Sequence, residues 1–309
     1  MEAAGHGREG KYDRFMWRKA IGVVLMLVAA AARARASAPD PNVRVEKIAT
    51  AALPNPAEVL VMTPPSYASS PGRRYPVLYF LHDGYGDGRT LVRRGIAAEV
   101  LARMADGRLP EFLIVAPDAP GSWFSDSYDG KRRYEEFLTG DLPRAIEERY
   151  RVVAGKKARG ITGISMGGYG AVKTALKHPG LYGSVSSLSG AIIPFGWDEL
   201  ERYSFVARYT LKSVFGKSKQ DNMLDANDAW HILWGLCFEA PPFEAELRAG
   251  TEDVYGLDGV AAQYGMQLND SGVPTTVILE PGGHDWSYWK HAMLDILAWH
   301  GARFEYDPQ

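Results

Sequence analysis

The chain has one cysteine, Cys237, in 309 residues. No internal disulfide can form, and no Cys/His spacing suggests a zinc site. Cys237 lies in Trp234-Gly235-Leu236-Cys237-Phe238, an apolar setting that points to a buried inert thiol rather than a nucleophile. An excess of either charge is also missing: 35 basic residues face 37 acidic ones, for a formal net charge of −2. Such a balance leaves no basic footprint for nucleic acid. The apolar run Ala20–Ala32 has thirteen residues, short of the ~20 that a membrane span needs. Internal repeats and calcium-binding loops are absent too. A dinucleotide loop begins at Gly84-x-Gly86 but fails, because Arg89 stands where the third glycine belongs. Neither a metal nor an organic cofactor is expected.

What is present begins with a leader. Arg14, Arg18 and Lys19 precede the apolar run, and Ala34-Arg35-Ala36 follows it before Ser37. A basic region, a short apolar region and a small-x-small site in that order predict a signal peptide over residues 1–36, and hence a secreted or periplasmic protein. Its removal takes away seven basic and three acidic residues and leaves a formal charge of −6. No stable membrane span is expected afterwards. Without disulfides the exported chain must rely on its core, which residues 37–309 are long enough to supply.

Along that chain, short apolar runs alternate with segments of helical spacing. Ala57–Met62, Val77–Leu81, Phe112–Ala116, Ala158–Thr162, Ser184–Leu188, Ala245–Ala249 and Thr275–Glu280 read as strands. Ile96–Met104, Tyr134–Tyr150 (interrupted at Pro143), Gly168–His178, Val260–Leu268 and Trp286–Arg303 read as helices. Such alternation predicts one α/β domain, with a mostly parallel sheet covered by helices on both faces. From about residue 191 to 242 the alternation lapses, and an inserted helical cap carrying Trp197, Trp230 and Trp234 is expected.

The most informative motif is Gly163-Ile164-Ser165-Met166-Gly167, between a predicted strand and a predicted helix. A serine there sits on a strained strand-to-helix turn with its hydroxyl exposed, and glycines flank it because side chains would strike the neighbouring strand or helix. Serine needs a base to take its proton, and the base needs a third group to fix its tautomer. His284, in Pro281-Gly282-Gly283-His284-Asp285-Trp286 after the last predicted strand, is the candidate base. Asp253, in Gly250-Thr251-Glu252-Asp253, is the favoured acid, ahead of Glu252 and Asp258. A tetrahedral intermediate needs two backbone donors; Met166 N–H and Tyr85 N–H are the candidates. His82, ending a strand, is expected to be a local hydrogen-bonding residue.

Val77–Asp87, Gly163–Gly168, Gly250–Asp253 and Pro281–Trp289 together resemble the putative-esterase family of the α/β-hydrolases, over roughly residues 43–303. That family includes esterase D (S-formylglutathione hydrolase), feruloyl and acetylxylan esterases, tributyrin esterases and mycolyltransferases. The resemblance implies an α/β-hydrolase fold and a catalytic set of Ser165, Asp253 and His284, with Tyr85 and Met166 backbone groups as oxyanion hole. Ser122-Trp123 and Tyr134–Asp141 also resemble family segments near the site. One departure is His82-Asp83-Gly84, where the family often has His-Gly. The implied reaction is hydrolysis of a small-molecule or carbohydrate ester, with feruloyl, acetyl-xylan and short-chain acyl esters as candidates. Trp123, Tyr128 and Trp286, with Trp197, Trp230 and Trp234, are candidate substrate contacts forming an aromatic platform, and core packing explains the tryptophans at least as well. An acyltransferase using the same residues is one alternative, and an S-formylglutathione hydrolase, disfavoured by export, is another. A non-catalytic carbohydrate-binding relative is a third.

Overall fold

Apolar and β-branched runs pair into a single sheet of eight strands. These are β1 (Val43–Ile48), β2 (Ala57–Met62), β3 (Val77–Leu81), β4 (Leu113–Pro117), β5 (Arg159–Ile164), β6 (Ser184–Leu188), β7 (Glu244–Gly250) and β8 (Thr275–Glu280), in the spatial order β1-β2-β4-β3-β5-β6-β7-β8. The computed structural model describes residues 40–194, 205–216, 223–236 and 240–306. Those from Asn42 onward belong to one compact unit. Strand β2 runs antiparallel to both β1 and β4, and every other neighbouring pair is parallel.

The sheet divides the core in two. Along β3 the side chains alternate: Val77, Tyr79 and Leu81 enter one cluster, Leu78 and Phe80 the other. On the first face lie α5 (Met166–Lys177), through Tyr169, Val172 and Leu176, and α8 (Leu257–Asp270), through Tyr264 and Leu268. The second face packs α2 (Ile96–Ala105), through Ile96, Val100 and Met104, and α9 (Trp286–Gly301), through Trp289, Met293, Ile296 and Leu297. Strands β3, β4 and β6 are buried at every residue, as expected for parallel strands covered on both sides. This is the helix-flanked, mostly parallel sheet that the sequence alternation predicts.

Two departures have physical causes. Strand β1 has no counterpart in the sequence reading: Arg44, Glu46 and Lys47 break its apolar pattern, which an edge strand with a half-exposed face tolerates. The helix expected over Tyr134–Tyr150 is three pieces: α3 (Tyr134–Glu136), a π-helical turn (Phe137–Asp141) and α4 (Leu142–Arg149). Pro143, in the first turn of α4, has no N–H for the carbonyl four residues back and its ring would collide with it. The wider turn relieves both problems. Between β6 and β7 the described residues include α6 (Phe205–Phe215) and α7 (Ala229–Gly235). Trp197, Cys237 and the predicted leader lie outside the described residues. Among those described, no helix is long and apolar enough to cross a membrane.

Beneath the sheet ends, His300 of α9 is fully buried between the Ser184 hydroxyl at Nδ1 (2.7 Å) and the Ser186 hydroxyl at Nε2 (2.8 Å). Burial, helped by the charge of Arg303, lowers its pKa to about 3. The unfolded chain binds this proton near pH 6.5 and the folded chain does not, so stability is lost as pH falls from 6.5 toward 3. One such group costs about 2 kcal/mol between pH 7 and pH 5. The urea midpoint of His300→Gln is therefore expected to fall less steeply over that interval than the native midpoint. Parallel slopes for the two proteins would contradict this.

Candidate active site

The turn from β5 into α5 places Ser165 at φ 54° and ψ −112°, a backbone that L-residues rarely adopt. It survives because its surroundings leave room for nothing else. A Cβ on Gly167 would lie 2.1 Å from the Leu81 carbonyl oxygen at the end of β3, and one on Gly163 would lie 2.3 Å from Gly167 itself. Ser165 N–H donates to the Leu188 carbonyl (2.9 Å), and its own carbonyl accepts from Tyr169 and Ala191 (3.1 Å each). The backbone is thus pinned on both sides. The hydroxyl caps nothing in the helix it precedes; instead it lies 3.0 Å from His284 Nε2.

His284 and Asp253 reach this point because the loops after β7 and β8 dock directly on each other. A Cβ on Gly250 would lie 2.1 Å from the Gly282 carbonyl oxygen, and that oxygen accepts the Glu252 N–H at 2.9 Å. Gly282 has φ +153°, and a Cβ there would strike the Tyr288 ring at 2.6 Å. Across the contact, His284 Nδ1 lies 2.7 Å from Asp253 Oδ2. A carboxylate at Nδ1 requires the ring proton there, which leaves the Nε2 lone pair for the Ser165 hydroxyl proton. Asp253 is 7% exposed, and its other oxygen accepts the Tyr255 N–H at 2.9 Å. Glu252 is exposed, while Asp258 sits in the first turn of α8. Of the three carboxylates considered from sequence, Asp253 is the one at the ring. Tyr255 and Trp289 meet the imidazole edge to face at 4.9 and 4.8 Å and limit its rotation.

Ser165 and His284 open into a cavity of about 650 Å³. Met166 lines it and is the first residue of α5, where a backbone N–H has no partner within the helix. Tyr85 lines it as well, but its N–H donates to Asp83 Oδ1 at 3.0 Å. The residue that departs from the usual His-Gly pattern thus occupies the second expected donor with its own carboxylate, through an Asx turn. Asp83 Oδ2 is buried without a hydrogen-bond partner. His82 is fully buried: Nδ1 bonds the Asp83 carbonyl and Nε2 accepts the Ala119 N–H, the local structural role expected of it.

Of the aromatic candidates, Trp123 and Trp286 line the cavity. Tyr128 does not belong to its lining; its N–H is tied to the Val214 carbonyl at the end of α6. Trp230 and Trp234 are also elsewhere. The Trp230 indole donates to the Ile192 carbonyl and packs on Tyr264 at 4.8 Å, a core position that composition alone does not distinguish from a platform. Trp289, placed from sequence in the last predicted helix and at the end of the Pro281–Trp289 block without being named a substrate contact, does line the cavity, as do Tyr255 and Arg94. Nothing in the periodicity singles these out, since their role depends on which loops meet. The wall at Trp123 is strained, with φ 53° there and 48° at Phe124. Fully buried Lys173 of α5 holds it, donating to the Phe124 carbonyl, the Ser125 hydroxyl and Glu135 Oε2 (2.8, 2.7 and 2.7 Å). Burial pushes the Glu135 carboxyl up, but the Lys173 charge, the His178 hydrogen bond and the Lys177 charge outweigh it and hold the carboxyl far below its ordinary range. Among the described residues, no group of three or more His, Cys, Asp or Glu side chains is placed to hold a metal ion.

Comparison with known proteins agrees with this architecture. A solved ferulic acid esterase superposes with a TM-score of 0.70 at 25% identity, covering 85% of this chain and 98% of that one. A Staphylococcus aureus S-formylglutathione hydrolase gives a TM-score of 0.66 at 18% identity, covering 84% and 98%, and shows the fold alone. In sequence, Esterase Rv1288 of Mycobacterium tuberculosis is 38% identical over 138 residues, 43% of this chain and 28% of that protein. The chain thus spans less than a third of that relative's length. An endo-1,4-beta-xylanase/feruloyl esterase of Xylanibacter ruminicola is 33% identical over 122 residues, 38% of this chain and 17% of that protein. The model of the Putative esterase family matches residues 50–300, and the chain belongs to that family, with its α/β-hydrolase fold.

Proposed function

We propose that the chain is a serine carboxylic-ester hydrolase that works through an acyl-enzyme. The observation that carries this reading is the hydrogen-bonded run from Ser165 Oγ through the His284 ring to Asp253, opening into the cavity. In this reading His284 Nε2 takes the Ser165 proton as Oγ attacks the ester carbonyl. Asp253 keeps the other ring nitrogen protonated and stabilises the imidazolium that forms. The same imidazolium then protonates the leaving alcohol, and water repeats the sequence on the acyl-enzyme. Met166 N–H supplies one oxyanion donor at the positive end of α5. Tyr85 N–H supplies the second by exchanging its bond to Asp83 for one to the developing oxyanion.

The cavity is larger than an acetyl group needs and falls in the range of drug-sized ligand pockets. Aromatic lining from Trp123, Tyr255, Trp286 and Trp289 favours an ester with an apolar or aryl portion, and the feruloyl esterases among its relatives support the same choice. The order of basic, apolar and small residues before Ser37 supports action outside the cytoplasm.

A fluorophosphonate probe tests the reading at its nucleophile. Stoichiometric labelling, located by peptide mass spectrometry on Ser165 and slowed by an aryl ester, is the expected result. Labelling that is absent, or that falls on another serine, would refute it.

A further inference from the structure

The loop after β3 carries three arginines close in sequence, and they are used differently. Arg89 pairs with Glu58 at 3.1 Å and Arg93 with Asp87 at 2.6 Å. Arg94 lines the cavity with Ser165 and His284. Among the described residues it faces no carboxylate in ion-pair range; its guanidinium lies over the Trp286 ring, 4.9 Å from the centroid. The position is set by the backbone. Arg94 closes α1 (Thr90–Arg93), its N–H donating to the Thr90 carbonyl at 3.0 Å, and Gly95 at φ 72° turns the chain into α2.

Two acidic residues share the cavity, and each already has local work. Asp83 Oδ1 accepts the Tyr85 N–H. Asp285 caps α9, its Oδ1 accepting the Ser287 N–H at 2.7 Å. Arg94 is the one permanently charged cation among the described lining residues. A guanidinium held over an indole face has lost rotamer freedom in advance while its N–H donors stay available, and such a donor fork matches a planar carboxylate.

We propose that Arg94, held against Trp286, forms an anion subsite of the cavity and selects esters bearing a carboxylate on the acyl or leaving group. The proposal rests on the hydrolase reading above. Charge-paired substrates would be recruited through binding and orientation, without any part for Arg94 in bond making.

Two matched pairs of esters test it: mono-4-nitrophenyl adipate against its methyl ester for the acyl side, and 4-acetoxybenzoate against its methyl ester for the leaving side. In at least one pair, the native enzyme is expected to favour the charged member about tenfold in kcat/KM, chiefly through KM. Arg94→Met should bring that ratio close to one, and Arg94→Lys should restore part of it. Arg89→Met, on the same segment but paired with Glu58, should keep the native ratio. A native ratio near one in both pairs, or a ratio that survives Arg94→Met, would overturn the subsite alone. Failure to hydrolyse any of the four esters would overturn the hydrolase reading, and the subsite with it.

Discussion

Ser165→Ala is expected to reduce turnover of 4-nitrophenyl acetate by roughly 10⁴-fold or more while leaving the fold unchanged. Removing the nucleophile removes the acyl-enzyme route altogether. What remains is the modest acceleration that oxyanion donors and binding give to direct attack by water. The fold should tolerate the change because the Ser165 hydroxyl caps no helix N–H and its hydrogen bond runs to His284 alone. The strained backbone is held by Gly163, Gly167 and the Leu188, Tyr169 and Ala191 bonds, none of which involves the hydroxyl. Circular dichroism and the thermal midpoint should therefore match the native protein. Survival of more than a tenth of the turnover in a purified, folded variant would mean that another residue is the nucleophile.

How far the sequence discloses this arrangement depends on how local each determinant is. The Ser165 turn is written in five adjacent residues because Gly163 closely approaches Gly167 within the motif, and Gly167 approaches the end of β3, the strand beside β5 in the sheet. Strands β2, β3, β6 and β8 coincide with their predicted spans, and in β3 the cause is plain: a short, wholly apolar run bounded by turns leaves little freedom of boundary. Loops that meet only in three dimensions leave weaker marks. Gly250 and Gly282 look like ordinary turn residues until their backbones are seen in contact. Trp230 looks like Trp286 in composition, yet one binds a main-chain carbonyl in the core and the other lines the cavity. The Asp83 carboxylate on Tyr85 N–H is a local Asx turn, and the unusual His82-Asp83-Gly84 sequence marks its place. Its consequence for the oxyanion donor emerges only with the cavity.

The choice among Glu252, Asp253 and Asp258 is the sharpest case of a question that sequence order leaves open and geometry narrows. Asp253→Asn is expected to lower kcat by about 10³- to 10⁴-fold. The substitution is nearly isosteric, so the Tyr255 N–H can keep its acceptor and the loop its shape. What changes is the proton. An amide NH₂ turned toward His284 Nδ1 needs an acceptor there, which moves the ring proton to Nε2 and leaves nothing to receive the Ser165 proton. An amide oxygen turned toward the ring would keep the tautomer but give up the negative charge that stabilises the imidazolium, and would set the amide NH₂ against the Tyr255 N–H in place of its acceptor. Either way kcat should suffer more than KM, because the loss falls on the transition state rather than on substrate binding. Glu252→Gln should keep at least half of native kcat: the Glu252 side chain is exposed, and the bond its residue makes to Gly282 comes from the backbone. Parallel kcat measurements on the two variants decide the matter, since a damaging Glu252→Gln with a benign Asp253→Asn would require the imidazole to turn to a different partner during catalysis.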